Sequence, residues 1–138
     1  MPDSLTDPDP QVRIAAVEAV GQRASHEKTP DYSADLPILH EMLRTDPDRD
    51  VRRSTAYALG AIGKAESVPV LVEAYTTADQ GLRLVIVKSL GKIGVLVPLL
   101  DELAAFGSTL CLRTAAQRAV DRIEAAQPEP PALPDLYD

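Results

Sequence analysis

An aliphatic residue followed at once by arginine, with a second aliphatic residue eight positions after the first, recurs four times in this chain. The copies are Val12-Arg13 with Val20, Val51-Arg52 with Leu59, Leu82-Arg83 with Leu90, and Leu112-Arg113 with Val120. Intervals of 39, 31 and 30 residues separate the four arginines. A period of that size marks stacked helical repeats, each too small to bury its apolar face alone. Such an array offers a long surface and seldom a closed reaction chamber, so a binding protein is the first expectation.

Between these marks the pattern alternates helix and turn. After Asp7-Pro8-Asp9-Pro10, a turn and helix-start signal, Val12, Ala16, Ala19, Val20 and Ala24 fall at the spacing of one helical face. Residues 25–34, with Pro30, Tyr32 and His26, read as an insertion loop that lengthens the first interval by about eight residues. Leu36-Pro37-Ile38-Leu39, Val68-Pro69-Val70-Leu71 and Val97-Pro98-Leu99-Leu100 each read as a helix with proline in its first turn, where a missing N–H costs little. We label the first helix of each hairpin A and the second B. The chain then divides into a repeat domain at residues 1–126 and a tail at 127–138. The domain comprises a B helix at 10–24, the loop at 25–34, and repeats at 35–63, 64–94 and 95–126. Only Pro2 to Thr6 precede the first turn, too few for an obvious first A helix.

The run Val51-Arg-Arg-Ser-Thr-Ala-Tyr-Ala-Leu-Gly-Ala-Ile-Gly63, followed by Val68-Pro-Val-Leu71, resembles the HEAT-like repeats first described in phycobilisome lyases. Their pattern is a turn Asp, then V-R-x-x-A-A-x-A-L-G-x-I-G, then a V-P-x-L helix, and the resemblance covers about residues 7 to 125. It implies an all-α protein, a short right-handed α-solenoid of HEAT-like helical hairpins with about seven helices, and B helices lining the concave wall. Proteins with such repeats include bilin lyase subunits, scaffolds and regulatory modules. The resemblance therefore speaks to fold more than to activity. The last unit departs from the pattern, with Val120-Asp121 in place of Leu-Gly.

Composition narrows the picture. Tryptophan is absent and aromatics make up 4% of 138 residues, so the interior must be built from Ala, Leu, Val and Ile, which suits closely stacked helices. The single cysteine, Cys111, cannot form an internal bridge, and between Leu110 and Leu112 it reads as a buried, aliphatic-like residue. No apolar run is long enough for a transmembrane helix and no basic-then-apolar leader opens the chain, so the expected setting is the cytoplasm. A net charge of −7 argues against nonspecific nucleic-acid binding.

Chemistry is thin. His26 and His40 lack the spacing to Cys, Asp or Glu of a zinc site, and the adjacent carboxylates Asp101 and Glu102 point about 100° apart on a helix. Gly60-Ala-Ile-Gly-Lys64 lacks the spacing of a phosphate-binding loop. No catalytic, cofactor-binding or metal-binding residue is expected, and no enzyme. Gly21, Gly60, Gly63, Gly91 and Gly94 lie near B-helix ends, where a helix closes through a left-handed residue or another backbone packs close. Arg13, Arg52 and Arg83 follow turns rich in aspartate, so a carboxylate–guanidinium ladder between turns is expected, with Arg113 as the exception.

Aligned by these arginines, the outward columns of the B helices read Glu18, Tyr57, Lys88, Arg118; then Gln22, Ala61, Lys92, Arg122; then Ile14, Arg53, Leu84, Thr114. An acidic protein would thus carry a basic stripe of Lys88, Lys92, Arg118 and Arg122 on one wall, with Tyr57 and Leu84 as apolar anchors. The expected partner-binding set is Ile14, Glu18, Arg53, Tyr57, Leu84, Lys88, Lys92, Arg118 and Arg122. The expected function is a non-catalytic protein-interaction module or scaffold whose partner is a protein or peptide with an acidic segment. The alternative, from the resemblance, is a bilin lyase-like or chaperone-like subunit handling a tetrapyrrole or its acceptor protein. The tail is proline-rich and acidic, yet carries Leu133, Leu136 and Tyr137, which suggests a docking motif for its own chain, another copy or a partner. Self-association through the first half repeat or the tail is a further expectation, and neither membrane nor nucleic acid is expected as a partner.

Overall fold

A computed structural model describes residues 2–26, 32 and 34–126. Within them the chain is a short all-α solenoid. The helices are α1 (Pro2–Leu5), α2 (Pro10–His26), α3 (Asp35–Thr45), α4 (Arg49–Ile62), α5 (Val68–Tyr75), α6 (Gln80–Ile93), α7 (Pro98–Phe106) and α8 (Leu110–Ala126), with a 3-10 turn at Ala65–Ser67 before α5. Each B helix packs on the A helix of its own hairpin, α1 with α2 through α7 with α8, and on the B helices before and after it.

Local chemistry sets the boundaries. Asp48 begins α4 by accepting the amides of Asp50 and Val51, Asp79 begins α6 by accepting that of Leu82, and Thr109 begins α8 through Leu112 N–H. Gly63 and Gly94 end α4 and α6 in the left-handed region, at φ of 74° and 87°. Pro69 and Pro98 sit in first turns, as the sequence pattern requires.

The repeat columns sort into faces. Val20, Leu59, Leu90 and Val120, seven residues after each arginine, are all buried and seal each hairpin. The column before the arginine faces the preceding repeat: Val51 is fully buried whereas Val12 on α2 is 37% exposed. The column four after it faces the following repeat: Val17, Ala56 and Val87 are buried, and Gln117 on α8 is exposed. The buried face of α2 is accordingly centred on Val17 and Val20. Val12 and Ala19, expected inside from spacing alone, are exposed because no described helix lies against that side.

B helices cross through small residues. A Cβ on Gly60 would stand 2.7 Å from Ser89 Cβ and one on Gly91 would stand 2.9 Å from Ala119 Cβ, so these backbones are nearly in contact. Ser89 Oγ, buried at the first crossing, donates to Ala56 O at 2.7 Å. The A helices α5 and α7 make at most marginal contact. The B layer is thus the more closely packed of the two.

Several expectations are corrected here. The first A helix exists as the single turn α1, whose Leu5 is buried against α2 and α3. Helix α2 continues through Ser25 to His26, and Tyr32, from the expected loop, is buried in the core. Phe106, the last residue of α7, is exposed. Cys111 is exposed, because burial of Leu112 on α8 turns its predecessor about 100° away from the core. The arginine ladder rests on backbone carbonyls more than on carboxylates: Arg13 Nη1, Arg52 Nη1 and Arg113 Nη1 donate to Asp7 O, Asp46 O and Gly107 O at 2.7, 2.6 and 2.8 Å. Each guanidinium reaches the carbonyl six residues back, which needs no acidic side chain, so Arg113 is no exception. Arg83 instead donates to Tyr75 O and lies over the Tyr75 ring. Among the described residues only Arg13 of the four adds a carboxylate, the largely buried Asp46 of the next turn, bidentate at 2.9 and 3.1 Å.

Candidate functional site

Lys88 and Lys92 lie one turn apart on α6, and Arg118 and Arg122 one turn apart on α8. Because α6 and α8 cross closely at Gly91 and Ala119, the two pairs flank one groove of about 550 Å³. Its floor is Gly91, Ala115 and Ala119, and its far end holds Leu84, Leu110 and Cys111. Among the described residues no acidic side chain lines it. A second groove of about 770 Å³ runs across α2, α4 and α6, lined by Glu18, Arg53, Tyr57 and Val85, and it shares Lys92 and Arg122 with the first.

The structure therefore gathers Glu18, Arg53, Tyr57, Leu84, Lys88, Lys92, Arg118 and Arg122 into two adjoining grooves on the B layer. Ile14 joins neither, being half-buried against the core. Spacing could not reveal Leu110 and Cys111 as part of the groove, since their exposure depends on how α7 delivers the chain to α8. Leu110 is 70% exposed. The tail motif Leu133, Leu136 and Tyr137 lies outside the described residues.

The two grooves differ electrostatically. In the larger one Glu18 offsets part of the positive charge, and Arg53 is drawn aside: its guanidinium lies against Gly81 at the start of α6, near Asp79. The Asp79 carboxyl is held below the ordinary carboxylate range, first by the hydrogen bond from Leu82 N–H and then by Arg53, Arg49 and Arg52, with desolvation opposing. Lys92 Nζ sits 4.2 Å from the Tyr57 ring centre, a cation–π contact that joins α4 to α6, and Tyr57 is 59% exposed.

In the smaller groove no carboxylate among the described residues offsets the cations. Among the described residues none of Lys88, Lys92, Arg118 and Arg122 forms an ion pair. Like charges one turn apart each cost about 0.2–0.5 kcal/mol on a helix. Here that cost falls twice on facing helices, in a chain whose net charge is −7. An uncompensated basic groove with an apolar floor can take up carboxylates on an extended, partly apolar chain. Among the described residues no group of three or more His, Cys, Asp or Glu side chains gathers as a metal site would, and no helix is long and apolar enough to cross a membrane.

Comparison with known proteins agrees with this architecture. Over 69 residues the chain is 32% identical to Protein YibA of Escherichia coli, in two strains, a match that takes in 50% of this chain. It spans only 24% of the length of those curated relatives. The family of HEAT repeats matches residues 2–60 and 36–121. These hairpins, stacked through small-residue crossings and sealed by one aliphatic column, belong to the HEAT repeat family.

Proposed function

We propose that this chain is a non-catalytic protein-interaction module that holds an acidic peptide segment in the groove between α6 and α8. The observation that carries the reading is the cluster Lys88, Lys92, Arg118 and Arg122 around an apolar floor, with no ion pair to any of the four and no acidic lining residue among the described residues. Carboxylates of the partner neutralise the rim, and aliphatic side chains between them cover Leu84, Ala115 and Leu110. Tyr57, braced by Lys92, extends the surface into the neighbouring groove as an aromatic anchor. Membership of the HEAT repeat family fits this use, since stacked repeats present extended surfaces for protein partners. A reducing cytoplasm suits the exposed thiol of Cys111.

The test is a fluorescence-anisotropy titration of the chain with a labelled twelve-residue peptide of alternating Glu and Leu, beside the same peptide with Gln for Glu. The acidic peptide is expected to bind at least tenfold more tightly, and the difference to shrink as salt rises from 50 to 300 mM. Combining Lys88→Glu with Arg118→Glu is expected to abolish it. Equal binding of both peptides, or affinity untouched by the charge reversal, overturns the reading. Adding free bilin to the chain separates the lyase-like alternative, which requires a new visible absorption band.

A further inference from the structure

We infer that the acidic, proline-rich segment 127–138 of this same chain is the resident occupant of the α6–α8 groove, folding back in cis over Lys88 and Arg118 and competing with the acidic partner. This rests on the groove being a site for acidic segments, as proposed above.

Three observations single out this occupant. The first is connectivity. Helix α8, whose Arg118 and Arg122 form one wall, ends at Ala126, one turn beyond Arg122. The segment that follows is therefore tethered at the groove's mouth.

The second is length. From Ala126 back to Leu110 the wall measures roughly 24 Å at 1.5 Å per helical residue. Proline at 128, 130, 131 and 134 forbids continuation of the helix and favours an extended course at about 3.1 Å per residue. After three or four residues spent reversing direction, the remaining eight or so span about 25 Å, the full length of the groove.

The third is chemistry. The segment intersperses the acidic residues Glu129, Asp135 and Asp138 with the apolar Leu133, Leu136 and Tyr137, and the groove sets the cations Lys88, Lys92, Arg118 and Arg122 around the apolar Leu84, Ala115, Ala119 and Leu110. Three acidic residues thus face four cations, none of which forms an ion pair among the described residues. The larger groove suits this segment less, because Glu18 lines it.

A tether this short gives an effective concentration in the millimolar range. A segment that binds with a Kd of about 0.1 mM as a free peptide would then lower a partner's apparent affinity about tenfold when attached. The segment acts as a threshold: weak acidic partners are excluded and tight ones displace it.

Cys111 supplies the probe, being the chain's single cysteine, exposed, and at the groove's far end. The measurement is its alkylation rate by neutral iodoacetamide in the full-length chain and in two variants. One carries Glu129→Lys, Asp135→Lys and Asp138→Lys. The other carries Leu133→Ser, Leu136→Ser and Tyr137→Ser, which leaves every charge in place. Docking in cis predicts at least fivefold faster alkylation in both variants, independent of protein concentration, and tighter binding of the Glu-Leu peptide by each. An unchanged rate in the apolar-stripped variant overturns the inference. So does protection that grows with protein concentration, which would assign the segment to a second copy. If the Glu-Leu peptide binds neither the chain nor its variants, the groove reading itself has failed; if it binds while Cys111 is equally reactive throughout, only the tail inference has.

Discussion

Glycine at three B-helix positions shows how much one hydrogen can decide. A Cβ at Gly60 would stand 2.8 Å from the Cα of Ser89, so the neighbouring backbone itself would have to move. At Gly91 the obstacle is Ala119 Cβ at 2.9 Å, and at Gly21 only an ordinary 3.5 Å contact with Ala58 Cβ. Alanine therefore should act differently at each place, although all three glycines occupy the same repeat position. Gly60→Ala is expected to lose about 1–3 kcal/mol by overpacking, and Gly91→Ala somewhat less. Gly21→Ala is expected to gain up to about 1 kcal/mol from helix propensity. Urea midpoints of the three variants check the order; equal effects at all three would refute the close crossings. Asp121 takes the glycine's place on α8, where it accepts a hydrogen bond from Gln117 at 2.9 Å and meets solvent instead of another helix.

Between elements, the outer layer is tied by one side-chain hydrogen bond that answers to pH. His40 on α3 lies with Nε2 2.9 Å from Ser67 Oγ, which is buried at the start of α5. Burial pulls the His40 pKa below its ordinary value, the Arg44 charge adds to the fall, and Glu66 partly opposes it. The unfolded chain, with an imidazole pKa of about 6.5, thus binds more protons than the folded one as pH falls from near 7. Stability from this group is complete above about pH 6.5 and declines as pH drops toward the folded pKa. Comparing the chain with His40→Gln by thermal melts from pH 5 to 8 is expected to show the difference between them shifting against the native chain below pH 6.5. A constant difference would mean that the ring titrates alike folded and unfolded.

At the scale of the whole molecule, stability should rise toward the middle of the stack, because each repeat is held chiefly by its neighbours. Helices α4 and α6 are covered by B helices on both sides, whereas α2 leaves Val12 37% exposed and α8 turns Gln117 and Asp121 to solvent. Native-state hydrogen exchange is expected to be slowest in α4 and α6, and faster by at least tenfold in α2 and α8. Uniform protection across all four would indicate one cooperative unit in place of a stack. The same geometry makes the basic groove a property of two repeats at once: Lys88 and Lys92 come from one, Arg118 and Arg122 from the next.

What could be read along the chain was periodic. The four aliphatic–arginine marks, the aspartate starts, the proline first turns and the closing glycines all act within one hairpin, so their spacing carried the order of helices. It also carried which outward columns would align, and eight of the nine expected surface residues do line the two grooves. What spacing could not carry depended on contacts between hairpins. Leu5 found a core from a single turn, Tyr32 entered it from an irregular stretch, Cys111 was rotated out, and the arginines settled on carbonyls six residues back. Helical period is a local consequence of backbone hydrogen bonding, whereas the side of a helix that meets solvent is decided by what is stacked against it.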